Sequence, residues 1–107
     1  MARRLPHPPR LSAVESLILE LLIANDDAMY GLQLVATSRR RLKRGTIYVT
    51  LSRMEAKGFV ESRQEERPAG AIGLPRRLYR VTPYGLKVHD AYLLLREALA
   101  LRPAEAH

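Results

Sequence analysis

No cysteine occurs among the 107 residues, which excludes a disulfide framework, a thiolate metal site and a cysteine nucleophile. Tryptophan is absent and phenylalanine occurs once, so no indole is available to stack on a flat ligand. Acidic residues are scarce: 11 Asp and Glu stand against 18 Lys and Arg. The resulting charge of +7, with a pI near 10.4, favours a nucleic acid or another anionic surface as partner. Long apolar runs are missing too. The longest, Leu17 to Ala24, is interrupted by Glu20 and is far too short to cross a bilayer, so no membrane partner is expected. Met1 to Arg10 lacks the apolar segment of a secretory signal, and a cytoplasmic location is the expectation. His7, His89 and His107 lie far apart in the chain and form no metal-ligand pattern. No glycine-rich phosphate loop precedes a helix, and no serine sits in a strand-turn-helix elbow. Glu61, Glu65 and Glu66 read as solvated charges, not as an acid/base set. A chain of this length buries only about two-thirds of its unfolded surface, enough for one domain but not for a second core around a substrate. The expectation is a non-enzyme without cofactor or metal.

What is present is concentrated between Lys43 and Thr82. Ile47, Leu51 and Met54 recur at i, i+4 and i+7 and predict a helix with one apolar stripe. Thr46, Thr50, Arg53 and Lys57 lie off that stripe, where they can face a polyanion. Gly58 follows the last periodic residue and suits the left-handed conformation that ends a helix. Phe59 to Gln64 and a second run containing Leu78, Tyr79 and Val81 predict two short strands. Pro68, Gly70, Gly73 and Pro75 break regular structure between them. A helix running into a hairpin whose loop is flanked by arginines is the sequence form of a recognition helix followed by a β-wing. Seven basic residues and a single acid, Glu55, fall between Arg39 and Lys57.

The flanking segments complete a mainly α fold. Pro6, Pro8 and Pro9 make residues 1–11 an extended basic arm carrying Arg3, Arg4 and Arg10, either a flexible tail or a groove-contacting arm. Ser12 and Glu15 form a capping box that opens helix 1, and Val14, Leu17, Ile18, Leu21 and Leu22 predict its core stripe. Asn25, Asp26 and Asp27 end it. A second helix is expected from about Met29 to Ser38 with Leu32 and Val35 inward, and Gly31 inside it predicts a close packing contact. Thr82 and Pro83 mark the N-cap and first residue of a terminal helix reaching about Leu101. Along it Val88, Tyr92, Leu95 and Leu99 make a heptad-like seam, widened by Leu93, Leu94 and Ala98. So apolar a helix on so small a domain predicts burial against a second copy of the chain. The expected organisation is an arm at 1–11, a winged helix-turn-helix domain at 12–82, a dimerisation helix at 83–101 and a tail at 102–107.

GTIYVTLSRMEAKGFVE resembles the third-helix motif of the PadR family of transcriptional regulators, and GLPRRLYRVTPYG resembles that family's wing and following helix start. Tyr30-Gly31 is similar to the family's Tyr-Gly at the second helix. The resemblance covers roughly Ser12 to Leu99. Departures fall at Lys43-Arg44, where the family has Ser-Pro, and at Val49, where it has Pro; both concern the target sequence rather than the fold. The resemblance implies a homodimeric repressor of transcription bound to double-stranded DNA at a pseudo-palindromic operator. Thr46, Tyr48, Thr50 and Arg53 would stand nearest the major groove, Lys43 and Arg44 on phosphates, and Arg76 and Arg77 at the minor groove or its phosphates. It also implies dimerisation through the terminal helix, with Val88, Tyr92, Leu95 and Leu99 lining either a plain interface or a pocket for a small hydrophobic effector. A sequence-tolerant nucleic-acid binder and a protein-interaction module on the same fold remain alternatives.

Overall fold

The computed structural model describes residues 9–101, so most of the N-terminal arm and the tail at 102–107 lie outside the described residues. In chain order the elements are α1 (Ala13–Asn25), β1 (Met29–Tyr30), α2 (Gly31–Thr37), α3 (Ile47–Ala56), β2 (Val60–Gln64), β3 (Arg77–Val81) and α4 (Pro83–Ala100).

α1 starts where its capping box places it. The Ser12 hydroxyl accepts from the Glu15 amide at 3.1 Å, and Oε1 of Glu15 accepts from the Ser12 amide at 2.8 Å. Asp26 ends the helix with φ 55°, the left-handed conformation. Its buried apolar residues are Leu17, Ile18, Leu19 and Leu22, while Val14 is exposed and Leu21 only partly covered. The stripe expected from periodicity is therefore displaced toward Leu19. α1 touches α2, α3, β3 and α4 together, so its covered arc is wider than a single-sided amphipathic helix would need.

The expected second helix begins later. Met29 and Tyr30 are extended and pair antiparallel with Tyr79 and Leu78, turning the two-stranded wing into a three-stranded sheet of order β1-β3-β2. The later start changes which side chain turns inward: Leu34 is fully buried and Leu32 is exposed. Val35, also expected inward, packs against the core. Ser38 closes α2, its buried hydroxyl donating to the Val35 carbonyl at 2.7 Å and accepting from the Leu42 amide at 2.9 Å. Arg39 and Arg40 then reverse the chain with positive φ values of 55° and 70°.

α3 buries Ile47, Leu51 and Met54, as the spacing predicts. Gly58 leaves it with φ 82°, where a side chain would be strained. At this junction Thr82 joins two elements: its hydroxyl donates to the Gly58 carbonyl at 2.6 Å and accepts from the Gly85 amide at 2.9 Å, capping α4. β2 and β3 run in register from Val60 opposite Val81 to Gln64 opposite Arg77. Beyond them Arg67 gathers the wing loop, donating to the carbonyls of Ile72, Gly73 and Leu74 at 2.6 to 3.2 Å.

Candidate nucleic-acid interface

α3 is held by its inner stripe, so the rest of its circumference is sorted by neighbours. On one flank Tyr48 lies across Gly31: a Cβ added at Gly31 would come within 2.7 Å of the phenol ring. The close contact expected at Gly31 is this one. Further along that flank, the Glu55 carboxylate accepts from the Ser62 hydroxyl at 2.7 Å, tying the helix to the wing. On the other flank, Thr46 and Thr50 border a groove shared with Arg10, Leu11, Ser12 and Val14. The Thr50 hydroxyl donates back to the Thr46 carbonyl at 3.0 Å. Between the flanks lies a shallow depression lined by Tyr48, Val49, Ser52, Arg53 and Ala56. Arg53 makes no ion pair among the described residues. Val49 is 60% exposed. Of the residues expected nearest the groove, Arg53 stands on this outward face, Tyr48 at its edge and Thr46 and Thr50 on the flank, while Val49 and Ser52, which the motif did not single out, stand beside Arg53. Counting 100° per residue away from Ile47, Leu51 and Met54 places Val49 and Ser52 on that face.

The cations divide into free and engaged. Lys43 and Arg44 are exposed in the turn that leads into α3, where the Lys43 carbonyl accepts from the amides of Thr46 and Ile47. That helix start carries a partial positive charge suited to a phosphate. Lys57 is different. It donates to Oε2 of Glu15 at 2.8 Å and to the Arg10 carbonyl at 3.3 Å, and its ammonium lies 5.5 Å from the Phe59 ring centre. Burial by itself would raise the Glu15 pKa, but the hydrogen bond from Lys57, the Ser12 amide and the Lys57 charge together hold it below the ordinary value.

In the wing, Arg76 makes a two-pronged contact with Glu65 at 2.9 and 3.0 Å and stacks 4.1 Å from the Tyr30 ring centre. The guanidinium holds the Glu65 carboxyl below its usual range. Arg77 is lightly engaged, donating to the Ser62 hydroxyl at 2.9 Å. Ile72 and Leu74 stand almost fully exposed at the loop.

The seam along α4 splits in two. Val88 is buried and Tyr92 half-buried within the chain, the Tyr92 hydroxyl donating to the Pro9 carbonyl at 2.6 Å. Leu95 and Leu99 face outward, as do Leu94 and Leu101. The four seam residues therefore do not line one pore within a single chain. Among the described residues no three His, Asp or Glu come together as a metal site, and no helix is long and apolar enough to cross a membrane.

An exposed helix preceded by a turn, followed by an arginine-bearing hairpin and backed by a three-helix core, defines a winged helix-turn-helix DNA-binding protein. The PadR-like family of transcriptional regulators matches this chain over residues 18–91, and the chain belongs to that family. It is a DNA-binding regulator of transcription. Solved structures agree in fold. A PadR family transcription regulator from Clostridium difficile is 25% identical over 82% of this chain and 91% of its own, with a TM-score of 0.68. A transcriptional regulator from Clostridium thermocellum is 26% identical over 80% of this chain and 82% of its own, with a TM-score of 0.62. Bacillus subtilis PadR in complex with operator DNA is 20% identical over 76% of this chain and 46% of its own, with a TM-score of 0.65, a likeness of fold. No curated protein sequence matches the chain.

Proposed function

We propose that the chain works in the cytoplasm as a homodimeric repressor that reads a pseudo-palindromic operator, α3 lying in the major groove and the wing over the adjacent minor groove. The observation that carries this reading is the outer face of α3: Val49, Ser52 and Arg53 point away from the domain, and the cations Lys43 and Arg44 stand beside the helix start. Lys43, Arg44 and Arg77 hold phosphates and set register, while Arg53 reads a guanine edge. Thr46, Thr50 and Tyr48 border the contact, and Arg76 acts through its pair with Glu65 by fixing the wing against Tyr30.

The dimer rests on the distal half of α4. Leu94, Leu95, Leu99 and Leu101 expose a run of large apolar side chains that a second α4 would cover. Repression follows from occupancy, since a dimer seated on two half-sites blocks the duplex it covers. A small hydrophobic effector would enter between the Leu95 and Leu99 surfaces of the two copies, acting only if it binds two conformations unequally.

Selection of bound sites from random duplexes tests this reading. A palindrome whose half-sites lie about 34 to 36 Å apart is expected. Binding without enrichment of any sequence would make the protein a sequence-tolerant binder, and absence of salt-dependent binding would remove DNA as the partner.

A further inference from the structure

We infer that Val49 is the side chain through which α3 recognises a thymine, by packing against its C5-methyl group. The inference rests on α3 entering the major groove. There an A·T pair offers two handles: N7 and N6 of adenine, which an Asn or Gln amide grips with two bonds, and the thymine methyl, which takes an apolar contact. α3 reads IYVTLSRMEA and contains neither Asn nor Gln. The paired grip on adenine is therefore not available from this helix.

The remaining candidates are removed one by one by their neighbours. Glu55 is held by Ser62, Tyr48 lies on Gly31 at the edge of the face, and Thr50 is half-buried on the flank, its hydroxyl donating to the Thr46 carbonyl. Ser52 can donate or accept and so discriminates poorly. Ala56 is the last residue of the helix, whereas a recognition helix meets base edges chiefly through its N-terminal part. Val49 stands in the first turn at the middle of the outer face, and at 60% it is the most exposed of the large apolar side chains of α3.

Arg53 lies one turn further along the same face. Four residues of helix span about 6 Å, close to two base-pair steps of about 3.4 Å. A guanine read by Arg53 and a thymine read by Val49 should thus lie within about two base pairs in each half-site.

The test uses the full chain and the duplex obtained by selection from random sequence, with each thymine replaced in turn by deoxyuridine, which removes only the methyl. One thymine per half-site is expected to show about a fourfold loss of affinity on replacement, the worth of one buried methyl. Val49→Ala should bind the thymine and deoxyuridine duplexes equally, while Arg53→Ala should lose the guanine preference and keep the deoxyuridine effect. Circular dichroism of Val49→Ala should match the parent, because the side chain lies outside the buried core. No deoxyuridine effect in the parent, or the same effect in Val49→Ala, would overturn the inference and leave the DNA-binding reading standing. Failure to enrich any duplex would remove both.

Discussion

Nζ of Lys57 sits 2.8 Å from Oε2 of Glu15, an ion pair that ties the end of α3 to the first turn of α1. The same carboxylate caps α1 through the Ser12 amide, and the same ammonium reaches the Arg10 carbonyl. The placement of the recognition helix and the start of the first helix are thereby one structural fact. Lys57 belongs to the basic cluster by sequence but serves the scaffold.

This pair predicts a pH dependence of stability. Glu15 is held below its ordinary pKa in the folded state, so its contribution is complete above the unfolded carboxylate value of about 4.3 and is lost as pH falls through the lower folded value. Glu15→Gln should cost about 1.5 to 3 kcal/mol at pH 7, the range for a hydrogen bond to a charged group. Urea unfolding of both proteins from pH 7 to pH 3 should show that difference shrinking in acid. A difference independent of pH would mean that the charge of Glu15 contributes nothing.

Two glycines should respond differently to alanine. At Gly85 an added Cβ would stand 2.0 Å from the Phe59 carbonyl oxygen, a backbone atom that cannot swing aside, so Gly85→Ala should cost about 2 kcal/mol or more. At Gly31 the obstacle is the half-exposed Tyr48 ring, which can rotate outward; stability should stay within about 1 kcal/mol of the parent, with a gain in helix propensity offsetting the lost contact. Affinity for the operator should nonetheless change in Gly31→Ala, because Tyr48 moves on α3. Thermal unfolding together with binding isotherms would separate the two cases, and equal stability losses would contradict the geometry.

Salt should weaken DNA binding with a slope set by the free cations only. With Lys57 paired to Glu15 and Arg76 paired to Glu65, the candidates for phosphate contact include Arg39, Arg40, Arg41, Lys43, Arg44 and Arg77. If about five of them neutralise phosphates on a single half-site, log K should fall against log[salt] with a slope of about −4 to −5. Lys57→Met should leave that slope unchanged while lowering stability. A slope reduced by about one unit in that variant would place Lys57 on a phosphate instead.

The two halves of the α4 seam should separate in mutants. Val88→Ala removes buried methyls and should cost about 2 kcal/mol without altering assembly. Leu95→Glu changes a half-exposed position, so the single chain should keep its fold while sedimentation shows monomers and affinity for a two-half-site operator drops far more than for one half-site. A dimer persisting in Leu95→Glu with unchanged operator affinity would move the interface elsewhere.

Local chemistry makes much of the fold legible in the sequence. The Ser12 and Glu15 box, the glycine at the end of α3 and the Thr82-Pro83 start each depend on bonds spanning a few residues, and each is present. The apolar stripe of α3 is likewise a property of spacing alone. The boundary of α2 was not legible, because Met29 and Tyr30 extend to pair with Tyr79 and Leu78, far along the chain. The outward position of Leu32 follows from the same pairing, and the displaced stripe of α1 from the number of elements that cover it.

By itself, then, the sequence determined the winged helix-turn-helix pattern, the basic face and the leucine-rich terminal helix, because periodicity, capping and charge balance are local or additive quantities. Tertiary structure alone decided which of those charges remain available. Lys57 finds a buried carboxylate 42 residues earlier and Arg76 finds Glu65 across the hairpin, so two cations that look alike to Lys43 and Arg53 in composition are already satisfied. It also decided that Val88 belongs to this chain's own core while Leu95 and Leu99 do not. A heptad spacing states which side chains share a helix face, but the length of the domain beneath that face settles where its cover ends.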